Sequence, residues 1–177
     1  MRTHRSRHAF SKILKQIRDG LQSCIDFFGS IAAYTTLFLV FVICIDVFSR
    51  YVFHVSYNWV LELEWHLFGL IFLLGAASTL KTDNHVRVDV FYTKWSQSVK
   101  NKVNILGTVF LLIPWCLVGI ATAYKYAINS WFMRESSPNP NGIPLWYPIK
   151  FVIVIGFVLL LLQGILSLFE INTEDGD

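Results

Sequence analysis

The sequence is poor in the groups that do chemistry in solution. Charged residues make up 15% of the 177 positions, and the formal charge is only +3. No block of basic residues stands apart from the apolar segments, as a nucleic-acid-binding arm would, which sets nucleic-acid partners aside. Three cysteines, Cys24, Cys44 and Cys116, form no CxxC pair. Cys44 and Cys116 fall inside apolar runs, where a thiol behaves as a small hydrophobe. Neither a disulfide framework nor a zinc site is indicated. No repeat and no low-complexity stretch is visible, and the basic N-terminal region is too long, with no small-x-small site after the first apolar run, to read as a cleavable signal peptide.

What the chain has instead is apolar surface. Hydrophobic residues reach 54% and the mean hydropathy is +0.50, more than one soluble core of this size needs. Several of the six Trp and seven Tyr sit near the ends of apolar runs, where amphipathic rings settle at headgroup depth. About 20 apolar residues cross the hydrocarbon layer as a helix. Four stretches qualify: 31–48, 59–80, 103–124 and 151–169. The third contains Pro114, expected to kink the helix without breaking it.

Lys and Arg are retained on the cytoplasmic side of a membrane. Arg2, Arg5, Arg7, Lys12, Lys15 and Arg18 precede the first span, and Lys81, Arg87, Lys94, Lys100 and Lys102 lie between the second and third. The other four, Arg50, Lys125, Arg134 and Lys150, are close to span ends, where long side chains snorkel. Both termini are therefore expected in the cytoplasm. Ahead of the first span, Phe10, Ile13, Leu14, Ile17, Leu21 and Ile25 recur at helical spacing opposite Lys12, Lys15, Arg18, Asp19 and Gln22. That pattern suits an amphipathic helix over 9–28 lying in the headgroup layer. The expected fold is an all-α membrane protein of one domain, 1–177, with four transmembrane helices preceded by an interfacial one.

The segment WVLELEWHLF, from Trp59 to Phe68, sets two carboxylates and an imidazole at the outer mouth of the second span. At 100° per residue, Glu62 and His66 share a face and Glu64 points away. Glu62 lies about one turn inside the boundary, shallow enough to keep its charge cheaply. Asp46 and Arg50 are spaced to pair on one helix face, and Arg50 is also placed to reach Glu62 across the turn. A stand-alone proton-coupled exporter using Glu62 is the alternative reading, and a haem anchored on His66 is weaker because no second histidine lies within a span. His85, Arg87 and Asp89 alternate with valines in the inner loop and offer too few ligands for a metal. The outer loop from Arg134 to Leu145, rich in Pro, Asn and Gly, reads as ordered turns.

Arg50-Tyr51-Val52-Phe53, Trp59 with Glu62, Gly75-Ala76-Ala77 and His85-Val86-Arg87-Val88-Asp89, in that order over positions 46 to 92, resemble the small, DctQ-like membrane subunit of tripartite ATP-independent periplasmic (TRAP) transporters. The resemblance implies a bacterial inner-membrane protein without a cofactor, working with membrane lipid, a large membrane subunit that carries the sodium and substrate sites, and a periplasmic binding protein. It implies a scaffold and no enzyme. Arg50, Trp59, Glu62, Gly75, His85, Arg87 and Asp89 are then expected to position or join the subunits. Glu135, Ser136, Ser137, Gly142 and Pro144 are expected to help dock the binding protein. The stretches Asn129-Ser130-Trp131, Glu135-Ser136-Ser137 and Gly142-Ile143-Pro144 look like the branch of the family associated with organic acids.

Overall fold

The computed structural model describes residues 2–82 and 95–174. These are helical throughout apart from their connections, with no strand among them. Helix α1 runs Arg2–Val52, α2 Asn58–Lys81, α3 Gln97–Gly107, α4 Ile113–Phe132 and α5 Tyr147–Glu174. Four helical segments are long and apolar enough to cross a membrane: Lys15–Val52 within α1, α2, the continuous rod Gln97–Phe132, and Tyr147–Glu170 within α5. In hydrocarbon every backbone polar group must be satisfied within the chain, which a helix does segment by segment.

Two helices differ in detail from the sequence expectation. The amphipathic stretch and the first span are one uninterrupted helix of 51 residues, about 76 Å long at 1.5 Å per residue. The third span meets Pro114 with a π-helical turn, Thr108–Leu112, in which the Ile113 N–H donates to the Thr108 carbonyl five residues back. Proline brings no N–H and its ring crowds the carbonyl four residues earlier. Widening one turn absorbs the misfit and lets α3 continue into α4.

The helices stand in a row in the order α1, α2, α5, α4, so the last helix in the chain packs between the second and the third span. Helix α1 touches α5 at one end of the row, where Gln22 Nε2 donates to Glu170 Oε1 at 2.9 Å. This contact also sets the start of α1 and the end of α5 on one side of the row. The core is Ile25, Ala32, Leu74, Ala77, Leu159 and Leu166, drawn from α1, α2 and α5.

Apolar burial drives helices together weakly in lipid, so small residues that permit close approach carry more of the packing. Along α1 and α2 the facing pairs are Asp26 with Lys81, Gly29 with Ser78, and Ala32 with Gly75. The pairs step three residues up one helix and three down the other, which defines an antiparallel register. A Cβ on Gly156 of α5 would lie 2.9 Å from the Leu73 carbonyl oxygen of α2, and one on Gly119 of α4 would lie 2.8 Å from the Phe157 ring of α5. Gly75 thus serves the chain's own α1–α2 contact.

Gly156→Ala is expected to destabilise the chain by roughly 1–3 kcal/mol through overpacking on the Leu73 backbone. Gly20→Ala, where nothing lies within 4 Å of the added methyl, is expected to stabilise it by about 0.5–1 kcal/mol. Thermal melting in detergent measures both.

Candidate functional site

Glu62 is 1% exposed, although it sits in the second turn of a membrane helix. Its carboxylate is enclosed by the loop that joins α4 to α5. Oε1 accepts from the Ser137 hydroxyl and from Asn139 Nδ2 at 2.9 Å. Oε2 accepts from the Ile143 backbone N–H at 2.7 Å and from the Trp146 indole N–H at 3.3 Å. Four neutral donors fill the acceptor sites of one ionised carboxylate, the condition under which a buried charge is tolerated.

The loop is built to converge there. Gly142 N–H donates to the Asn139 carbonyl at 3.1 Å, Pro140 holds the second position of that turn, and Asn141 the third with φ 56°. That combination defines a type II turn, in which proline presets one φ and asparagine tolerates the positive one. Ser137 N–H donates to the Ile143 carbonyl at 3.1 Å, and Trp146 N–H to the Glu135 carbonyl at 3.0 Å. Asn139 N–H donates to Ser137 Oγ at 3.0 Å, so the hydroxyl accepts from the loop while donating to Glu62. A Cβ on Gly142 would lie 2.2 Å from Ser137 Oγ and 2.7 Å from Glu62 Oε1. Asn58, at the start of α2, adds a second tie by donating to the Pro140 carbonyl at 2.9 Å.

A second knot closes the base of the loop. Lys150 of α5 is 4% exposed; it pairs with Glu135 and stands 3.8 Å over the Tyr126 ring. Ser130 of α4 donates to Glu135 at 2.6 Å. The Lys150 ammonium, then the Ser130 hydroxyl, hold the Glu135 carboxyl below its ordinary range against a smaller opposing effect of burial. Trp131 packs edge-on against Tyr147 at 4.8 Å, and Trp146 against Trp65 and His66 at 6.1 and 6.0 Å.

The expected site residues separate into groups. Arg50 pairs with Asp46 on its own helix while Glu62 is taken by the loop, so the expected Arg50–Glu62 pair is replaced by two separate arrangements. Trp59 is half exposed at the start of α2. Glu135, Ser137 and Gly142 are committed to the chain's own interior, whereas Ser136 and Pro144 face outward. His85, Arg87 and Asp89 lie outside the described residues. Trp146 and Tyr126 were not singled out by the sequence pattern; Ser130 entered it only through a resemblance, Lys150 only as a cation near a span end, and Asn139 only as part of the loop. A polar loop rich in donors, opposite a carboxylate with no cation in register, is the signal that points to them.

The fold and this latch define a polytopic helical membrane protein in which the loop between α4 and α5 is ordered by buried ionic and polar groups. Among the described residues, no three His, Cys, Asp or Glu gather as a metal-binding group. The family model of the DctQ component of tripartite ATP-independent periplasmic transporters matches residues 39–173. The chain belongs to this family, the small permease component of a transporter that also comprises a large permease and a periplasmic binding protein. The family is one of transport components, not of enzymes. No curated protein matches the chain in sequence.

Glu62→Gln turns an amide N–H₂ toward donors that need an acceptor. It is expected to raise hydrogen exchange across residues 135–146 by about tenfold or more, leaving exchange in the middle of α1 unchanged. The Glu135–Lys150 knot is complete above the ordinary carboxylate value of 4.5 and is lost as pH falls through the lowered value in the folded chain. The near-ultraviolet circular dichroism of Trp131 and Trp146 is therefore expected to hold to about pH 4.5 and fade below it, and Glu135→Gln is expected to remove that step.

Proposed function

We propose that this chain is the scaffold subunit of a secondary, sodium-coupled uptake system for organic acids, holding the large permease in place while its outer loop receives the loaded binding protein. The observation that carries this reading is the latch on Glu62. A segment of Pro, Asn, Ser and Gly would otherwise sample many shapes, and ordering it in advance lowers the entropy cost of receiving a partner. The docking face consists of what the latch leaves outside: Ser136, Pro138, Pro140, Asn141, Pro144 and Leu145, all exposed, beside Phe132 at 78% and Met133 at 75% exposure.

The row of helices supports the scaffold half of the reading. Two edges are left open, and along them α1 exposes Tyr34, Leu37, Phe38 and Phe41 while α4 exposes Trp115, Leu117 and Val118. The core between α1, α2 and α5 is built of Ile, Ala and Leu. Placement of both termini in the cytoplasm of a bacterial inner membrane follows from the eleven Lys and Arg on that side, and puts the latched loop in the periplasm. In this placement the first half of α1, continuous with the first span, extends from the inner side of the membrane. A proton-carrying role for Glu62 would require its carboxylate to give up four donors in each cycle.

Replacing residues 136–144 with a Gly-Ser segment of equal length is expected to leave copurification with the large permease intact. Uptake and binding-protein affinity should fall at least about tenfold, a change of about 1.4 kcal/mol in docking. Unaltered uptake rejects the docking role.

A further inference from the structure

On the far side of α2 from the latch lies a second group of charges. Asp46 of α1 is 5% exposed and pairs with Arg50, whose side chain is 47% exposed. Glu64 of α2 lies within electrostatic reach of both, as the antiparallel register of α1 and α2 requires. Its Oε1 is buried and has no hydrogen-bond partner. Asp46 and Arg50 pair with each other, which leaves Glu64, among the described residues, without an ion pair of its own, near the outer end of two helices whose surroundings are apolar. Phe48 and Tyr51, next to this pair along α1, and Trp65, next to Glu64 along α2, are exposed.

Such an arrangement is costly in lipid, where an ionised side chain needs a partner or a proton. The other edge of the row poses no such demand. Its groove between α4 and α5, about 360 Å³, is lined by Trp115, Val118, Gly119, Ile153 and Phe157 among others and is satisfied by acyl chains.

We propose that the outer end of the α1–α2 edge is the face that binds the large permease, and that a lysine or arginine on a transmembrane helix of that subunit pairs with Glu64. The proposal rests on the scaffold reading and adds to it a location and a charge. One partner cation makes the Asp46, Arg50 and Glu64 group neutral, covers the half-exposed guanidinium, and fixes the register of the two subunits. Specificity follows as well, since a helix without a basic residue at this depth would leave the carboxylate uncompensated.

The test uses the transporter as it exists, with an affinity tag on this chain and the permease recovered from membranes as the readout. Glu64→Gln is expected to lower permease recovery at least about tenfold and Glu64→Lys to abolish it, with Trp115→Ala at the other edge matching wild type. Changing the intramembrane Lys and Arg of the permease to Glu, one at a time, is expected to yield one variant that restores recovery with Glu64→Lys. The isolated Glu64→Gln chain is expected to melt no lower than wild type, because the substitution removes a buried uncompensated charge. Full recovery with Glu64→Gln, absence of any restoring reversal, or a clear drop in melting temperature of the isolated chain would each overturn the proposal. Failure of the wild-type chain to recover the permease would instead bring down the scaffold reading, and this proposal with it.

Discussion

A carboxylate in a membrane helix needs its charge answered, and at Glu62 the answer is four neutral donors and no cation. That constraint organises the half of the molecule around the α4–α5 loop. To supply the donors, the loop must turn at Pro140-Asn141, keep residue 142 free of a side chain, and bring the Trp146 indole back over α2. Once Trp146 is fixed, α5 begins beside α2, and the Lys150–Glu135 knot fixes α4 on its other side. The order of helices in the row is the long-range expression of one side chain's hydrogen bonding.

Packing below the latch obeys a different rule. Lipid is as apolar as leucine, so nothing is gained by hiding leucine from it. The helices approach instead where Gly29, Gly75, Gly119 and Gly156 let a neighbour's side chain or backbone come close. A row rather than a closed bundle results, and the large apolar side chains point away from it. At one end of the row the Asp26–Lys81 pair marks one boundary, and Asp46 marks the other. Twenty residues of helix separate Asp26 from Asp46, about 30 Å, which is the thickness of the hydrocarbon layer.

The four spans were legible in the sequence because a run of apolar residues of the right length has few other uses. The turns of the outer loop were legible from Pro, Asn and Gly, and the Asp46–Arg50 pair from its spacing on one helix. What joins distant segments was not. The pairing of Arg50 with Glu62 followed from similar depth on adjacent helices, but depth does not tell which face of α2 meets α1. Glu64, not Glu62, lies on that face. Nor does any local pattern announce that residues 135–146 fold back over α2, since Ser137, Asn139 and Trp146 are unremarkable until the carboxylate is beneath them. The separation of the amphipathic stretch from the first span was inferred from a change in periodicity, and a helix can change its face pattern without ending.

The position of α5 between α2 and the third span also sets an order of events in time. A chain emerging from its N-terminus can pair α1 with α2 as soon as both are made. The third span then enters the bilayer with almost nothing of its own chain to pack against. It waits there, surrounded by lipid, with the segment that will become the α4–α5 loop trailing from it and Glu62 still uncovered. Only when the last helix arrives do the groove of α2, the face of α4 and the donors of the loop find their places together. The arrival of α5 is therefore the step that joins the two halves of the row.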